Sequence, residues 1–360
     1  MKVFHVLNQA ILGRYPPGWV QPLFAQAGVE YHYATRQESL LCLFPDKLVS
    51  YLNKHGYDWL FWGWECQSEA LYQRVYEARR GFKILLFGQE QPQRLDTLRR
   101  VSRFADVCIT SSPVYRDEVD GFLPFGIHTA YGRGLPSEFH QKKNQILLTG
   151  SYRHSRCQLY ERLLGQQPFD WPVVIFPPDL DTDHAKGDRF RELAAAYPDY
   201  VLGQGEAGKD AIASAQGYIP TMMQHLGRSK LHIDFTTNSS NWLKFHEDCD
   251  AIMARCRDLR GGYCPERVLD AMYMQCHSLC LYDRAVEAVV GRHVTYYDSM
   301  ESLIEQTRRL IGELTADRVR VEKAAVYPHL STESVIEALA TTFHTGQAAE
   351  VALAGGGAHG

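Results

Sequence analysis

Short apolar, β-branched runs alternate with helix-periodic stretches from one end of the chain to the other, and this alternation constrains the fold more than any other feature. It is the pattern of βαβ units building parallel sheets. In the first part, strands are expected at 3–7, 29–33, 59–62, 83–87, 107–110 and 122–125, with helices at 19–26, 46–54, 68–80 and 95–104 between them. The stretch 129–144 carries Gly132, Gly134, Pro136, Lys142 and Lys143 without an apolar period, and reads as a linker. The alternation then restarts, with strands at 145–150, 173–176, 200–202, 231–235, 278–282 and 293–297. Helices are expected at 157–164, 188–196, 221–226, 266–275 and 300–314. The last shows a capping box at Asp298 and Glu301 and an apolar face of Leu303, Ile304, Thr307, Leu310, Ile311 and Leu314.

The chain's 360 residues suit two such domains, at about 150 residues each. The expected fold class is therefore α/β, with two Rossmann-like, doubly wound domains facing a central cleft. Expected domains are 1–135 and 136–330, then a C-terminal helix over 331–345 packing back on the first domain, and a flexible tail over 346–360. Ligands of such sheets bind beyond the carboxyl ends of the strands.

A net charge of −4 lacks the basic excess of a dedicated nucleic-acid binder. No run approaches the ~20 apolar residues of a membrane span, so a cytoplasmic protein is expected. Nine cysteines lie in apolar segments and read as buried thiols of a reducing compartment. The run from Cys249 to Cys280 with His246 and His277 holds possible zinc ligands, but it has no CxxC or HxxxH pair, and no metal is expected.

Two stretches carry candidate chemistry. In 261–272, two glycines and Pro265 precede a helix whose free N–H groups suit a phosphate. Glu266 and Asp270, four apart, share one face and suit a ribose diol; a solvated acidic pair opposite Leu269 and Met272 is the alternative. In 148–156, a strand is followed by Gly150, Ser151, Arg153 and Arg156, a cradle for a diphosphate because arginine offers a fixed fork of donors. It is neither a Walker loop nor GxGxxG, and an arginine pair on a helix surface is its alternative.

Taken together these pieces resemble the GT-B glycosyltransferases, in particular the spore-maturation-protein-like branch of the group 1 enzymes. The resemblance rests on Gly150, Ser151 and Arg156, on 218–229 before the strand at 231–235, and on the pattern of Pro265, Arg267, Leu269, Asp270 and Ala271. It extends to 294–303, and in the first half to 106–112 and 124–128. It covers most of 83–330. It implies transfer of a sugar from a UDP-, GDP- or dTDP-sugar without a required cofactor or bound metal. By resemblance, Asp270 holds the donor ribose, Arg156 contacts the diphosphate, and Gly150 and Ser151 line the pocket. The helix from Pro265, with Glu266 and Arg267, completes the donor site, while Arg153 joins Arg156 in stabilising the leaving diphosphate. The chain departs from the pattern at Gly262, where many relatives carry Glu eight positions before the ribose carboxylate, and at Gln275-Cys276-His277 after the helix.

An inverting reaction needs a base from a strand end of the first domain. Glu90 is the first candidate and Glu65 the second, each with a solvated surface carboxylate as its alternative; in a retaining reaction His128 would lie near the donor sugar. Tyr57, Trp59, Phe61 and Trp62 read as core, with Trp64 able to stack on a sugar or base. The acceptor class stays open among a glycan, a lipid-linked sugar, a protein, a small metabolite and a modified DNA base. A GT-B-like nucleotide-sugar epimerase and a non-catalytic nucleotide-sugar binder are the rival functions.

Overall fold

The computed structural model describes residues 1–6, 20–64, 68–88, 95–124, 132–149, 154–165, 169–176, 187–200, 218–235, 248–258 and 262–351. Two compact units emerge: Met1–Phe125 with Ser331–Ala352, and Gly126–Leu330 with Leu353–Gly360.

In the first unit β1 Lys2–Val6, β2 Glu30–Tyr33, β3 Trp59–Trp64, β4 Lys83–Gly88, β5 Val107–Thr110 and β6 Gly121–Phe122 form one parallel sheet in the order β2-β1-β3-β4-β5-β6. Near-continuous apolar runs such as Ile84 to Phe87 follow from burial on both faces. Helices α1 Gln21–Gln26, α2 Arg36–Ser39, α3 Pro45–Lys54, α4 Glu69–Ala78 and α5 Leu95–Ser102 connect the strands. Side chains alternate along each strand. Phe4, Leu60, Trp62, Ile84 and Leu86 therefore pack with Leu48 and Leu52 of α3, Tyr72 and Val75 of α4, and Leu98 and Val101 of α5.

The second unit has β7 Lys143–Leu148, β8 Val173–Ile175, β9 Ser229–Asp234, β10 His277–Leu281 and β11 Thr295–Tyr297, all parallel, in the order β11-β10-β9-β7-β8. Its helices are α6 His154–Gly165, α7 Gly187–Ala196, α8 Tyr218–Arg228, α9 Cys249–Arg255, α10 Glu266–Tyr273, α11 Arg284–Val290, α12 Met300–Glu313 and α13 Ala316–Leu330. One sheet face, with Ile146, Leu148, Ile233 and Leu279, is covered by Leu159 and Leu163 of α6, Ile252 of α9 and Leu303 and Leu310 of α12. The opposite face puts Leu147 and Val174 against Met222, Met223 and Leu226 of α8 and Ala271 of α10. Gly132 packs here as well: a Cβ on it would come within 2.5 Å of Tyr273, 2.7 Å of Met274 and 2.8 Å of Met223, so the segment holding it belongs to this unit.

The last helix, α14 Thr332–Thr345, returns to the first unit. Phe343 packs against Phe24, Trp59 and Phe61 on the face opposite α3–α5, and its carbonyl accepts a 3.0 Å hydrogen bond from Trp59 Nε1.

The strands lie close to their expected positions, although β6 is shorter than 122–125 and the strand expected at 200–202 runs into residues outside the description. Four of the described helices were not expected, among them α2, a single turn of four residues. α9 and α11 are two turns long, too short for a clear period, and α13 carries Pro328 in its last turn. The cap of α12 also differs. Ser299, not Asp298, is the N-cap, and it pairs reciprocally with Ser302 rather than with Glu301. Asp298 is otherwise engaged, accepting from Arg257 Nε at 2.7 Å and from Ser302 Oγ at 3.1 Å.

Candidate functional site

The order of the second sheet locates its crevice. From β7 the chain moves outward to β8, then returns to place β9 on the other side of β7, so the strand order reverses between β7 and β9. Connecting segments leave those two carboxyl ends in opposite directions, and ligands of open parallel sheets occupy the gap. The residues at this gap are Thr149 after β7, Asp234 and Phe235 at the end of β9, and the first turns of α6 and α10.

Arg156 lies in the first turn of α6 and is 3% exposed. Its Nε and one Nη donate to the Phe235 carbonyl at 3.1 and 2.8 Å, tying the helix after β7 to the end of β9 across the switch point. This is not a surface arginine. Arg267, in the first turn of α10, donates through Nε to Asp234 Oδ1, and the pair is half-shielded to fully buried, at 18% and 2% side-chain exposure. Burial opposes charge on Arg267, but the Asp234 carboxylate more than offsets it and keeps the guanidinium protonated. Tyr297 donates to the Asp234 carbonyl at 2.9 Å, so β11 also supports this strand end.

Beneath the gap runs a neutral polar line. Thr149 Oγ1 and His232 Nε2 are 2.8 Å apart, His232 Nδ1 and Ser278 Oγ 3.3 Å apart, and Tyr160 donates to the Thr149 carbonyl at 3.0 Å. Burial lowers the His232 pKa to about 4, which leaves the ring uncharged near neutral pH. The line joins β7, β9 and β10 without adding charge below the two guanidiniums.

The start of α10 follows the expected motif with one shift: Pro265 is the N-cap, in extended conformation, and the helix begins at Glu266. No side chain caps it, and the Val268 N–H closes on the Pro265 carbonyl at 3.0 Å, while the positive end of the helix dipole faces the gap. Glu266 is half-buried, whereas Asp270 is completely buried beside Leu269 and Ala271. A solvated acidic pair therefore does not describe it. Cys264 and Cys280 are buried thiols, and burial raises both well above the ordinary range, so neither offers a thiolate here.

Of the expected site residues, Arg156, Pro265, Glu266, Arg267 and Asp270 lie in the described second unit. Gly150, Ser151, Arg153, Glu65, Glu90 and His128 lie outside the described residues. Asp234 and His232 were not singled out from the sequence. The available signal was an acid and a histidine inside the apolar strand run at 231–235, where charge is costly without a purpose. Among the described residues, Asp248, Cys249 and Asp250 bring possible ligand atoms within 4.8 Å of one another. Asp250, however, is taken by Arg162 at 2.6 Å, and burial pushes the Cys249 thiol up to about 11, so this group reads as a helix-start ion pair.

No protein-family model and no curated protein sequence matches the chain. Solved structures match along nearly its whole length. A glycosyltransferase from Rickettsia africae ESF-5 aligns with a TM-score of 0.61 at 9% identity, covering 96% of this chain and 98% of that one. Sucrose-phosphate synthase from Thermosynechococcus elongatus aligns with a TM-score of 0.60 at 12% identity, covering 95% and 98%. Anabaena Alr3699/HepE, solved in complex with UDP-glucose, aligns with a TM-score of 0.62 at 12% identity, covering 96% and 100%. With two Rossmann-like α/β units matching these enzymes end to end, the chain has the GT-B fold.

Proposed function

We propose that this protein is a glycosyltransferase that moves a sugar, a hexosyl or related group, from a nucleoside-diphosphate sugar to an acceptor. The observation that carries the reading is the pair of guanidiniums, Arg156 and Arg267, gathered at the switch point of the second sheet beside an uncapped helix N-terminus. An HepE structure of the same fold was solved with UDP-glucose. In the proposed reaction the bond from the sugar to the diphosphate breaks and negative charge grows on the leaving diphosphate. Preorganised donors meet that charge without reorganising. Here the charge would be met by the positive end of the α10 dipole, the helix that begins after Pro265, and by arginines at the gap, Arg153 among them, so the reading requires no metal.

Arg156 is proposed to act partly through position. With two of its N–H groups on the Phe235 carbonyl, it holds the crevice walls in place as well as adding positive charge. Asp270 and Glu266 are assigned to the ribose, Gly150 and Ser151 to the pocket lining, and the acceptor to the first unit. Glu90 is the first choice for a base in an inverting reaction and Glu65 the second, with His128 beside the donor sugar in a retaining one. The described cysteines are free thiols, and no described helix is long and apolar enough to cross a membrane; we place the enzyme in the cytoplasm on the first of these.

A thermal-shift panel of UDP-, GDP- and dTDP-sugars tests the reading. A donor at a hundredfold excess over its Kd adds about 2.7 kcal/mol, or about 5–10 °C for a unit of this size. If no nucleotide sugar and no free nucleoside diphosphate shifts the midpoint, the proposal falls.

A further inference from the structure

The stretch where the sequence departs from the glycosyltransferase pattern, Gln275-Cys276-His277, joins α10 to the sheet. α10 begins beside the gap at Glu266 and ends at Tyr273, and β10 starts at His277, on the opposite, amino edge of the sheet. Between them Gln275 stands at φ 54°, in the left-handed region, which costs a residue with a Cβ about 1–2 kcal/mol. Such a turn persists only where the structure on either side holds it. On the β10 side the hold is His277, which is completely buried.

Four side chains close a ring of hydrogen bonds here. Arg318 of α13 donates through Nε to Glu322 Oε1 at 2.9 Å and through an Nη to Thr295 Oγ1, at the start of β11, at 3.1 Å. Thr295 Oγ1 lies 2.8 Å from His277 Nε2, and His277 Nδ1 lies 2.8 Å from Glu322 Oε2. A guanidinium only donates and a carboxylate only accepts, which directs the protons. Glu322, ion-paired with Arg318, accepts from Nδ1–H, and Thr295 accepts from Arg318 and passes its own O–H to Nε2. With His277 neutral, the ring of bonds holds one cation and one anion. A second proton, on Nε2, would leave the Thr295 O–H without its acceptor and set an imidazolium against the Arg318 guanidinium, one Nη of which is 3.4 Å from Nε2. The Glu322 carboxylate already balances Arg318, so the buried group would carry a net charge. Arg309 of α12 acts on His277 as a further cation, β9 and β11 bring the uncharged Leu231 and Thr295, and the Cys276 thiol beside it, pushed up to about 12 by burial, is neutral. Burial accordingly holds His277 below the ordinary histidine value, with Arg318 and Arg309 adding to it and the Glu322 bond opposing it.

We propose that His277, Thr295, Arg318 and Glu322 form a proton-sensitive latch: a second proton on His277 breaks the ring of hydrogen bonds, loosens α13 from the amino ends of β10 and β11 and, through α10, weakens nucleotide-sugar binding in acid. α13 reaches α10 directly. Tyr327 packs on Tyr273, the last residue of α10, with ring centres 4.9 Å apart, and Lys323 Nζ lies 4.5 Å from the Tyr273 ring centre. Arg267 and Asp270 stand on that same helix. The sign follows from linkage. In the open form His277 titrates at the ordinary value of 6.5 and in the latched form below it, so the latch is complete above about pH 6.5 and is lost as the pH falls through and below that value. The effect on the nucleotide sugar rests on the glycosyl-transfer reading above; the latch itself does not.

The test measures the protection of the α13 backbone amides by hydrogen–deuterium exchange in the full chain at about pH 7.5 and about pH 5.5, either side of the ordinary histidine value. The amides of β4 in the first unit serve as reference, and UDP-glucose is titrated by calorimetry at both values. The open form gains by up to about tenfold for each pH unit below 6.5, so α13 protection is expected to fall by up to about tenfold at the lower pH, and UDP-glucose to bind several-fold more weakly. His277→Gln, which cannot titrate, should level the protection of α13 between the two values. Arg318→Gln, at a half-buried position, keeps a donor without the charge and should shrink the pH effect too, because a protonated His277 then faces no cation there. Equal α13 protection at both values in the parent overturns the proposal, as does a His277→Gln variant that keeps the full pH effect. An α13 that loosens in acid while UDP-glucose affinity holds constant overturns the link to α10. A parent whose α13 loosens in acid but which binds UDP-glucose at neither value sinks the transfer reading instead, and leaves the latch standing.

Discussion

At the residue scale, the gap between β7 and β9 separates groups that build the site from groups assigned to the ligand. Asp234 and Arg267 are the first kind. Removing the arginine strands a carboxylate that is 2% exposed, and breaking a buried pair from one side costs about 3–5 kcal/mol. Arg267→Ala should therefore lower the urea midpoint markedly as well as weaken nucleotide binding. Asp270→Ala, on the ribose assignment, should weaken UDP or GDP several-fold by calorimetry; unchanged affinity would remove Asp270 from the ribose. The two behave differently in the sequence for a physical reason. Pro265, Arg267 and Asp270 stand in one local pattern and are legible as a motif, whereas Asp234 gains its meaning only when the register of β9 with β7 and β10 brings it to the crevice.

At the element scale, helix α12 shows how local chemistry sets a boundary. Ser299 accepts from the Ser302 N–H at 3.1 Å, and losing such a cap costs about 1 kcal/mol. Ser299→Ala should then destabilise the second unit by that amount in chemical denaturation, while Glu301→Ala, at an exposed position, should stay within about 0.5 kcal/mol. Equal effects would restore the cap to Asp298. The expectation of Asp298 and Glu301 missed by one residue because both Asp and Ser suit an N-cap, and the choice falls to Arg257, a residue distant in sequence that claims Asp298. Strands were legible because burial on both faces writes continuous apolar runs into them. Helices α2, α9, α11 and α13 were not, since one or two turns of helix, or a helix with Pro328 in its last turn, write too little period to detect. The candidate site was legible only as two weak motifs, because its geometry depends on a sheet order that no local pattern records.

At the scale of the whole molecule, two units with separate cores should unfold as two transitions rather than one. The position of α14 makes that testable with a residue far from the first unit in sequence. Phe343 is almost fully buried against Phe24, Trp59 and Phe61, and deleting a buried phenylalanine side chain costs about 3–5 kcal/mol. That loss should fall on the unit that holds α14. Phe343→Ala is accordingly expected to lower one calorimetric transition by on the order of 10 °C, while the other keeps its midpoint. A nucleotide sugar should move the transition that the variant leaves alone, because Arg156, Arg267 and the α10 N-terminus all belong to the second unit. Should the nucleotide instead raise the transition that Phe343→Ala lowers, the donor would have to be reassigned to the first unit, and the division between donor and acceptor would be reversed.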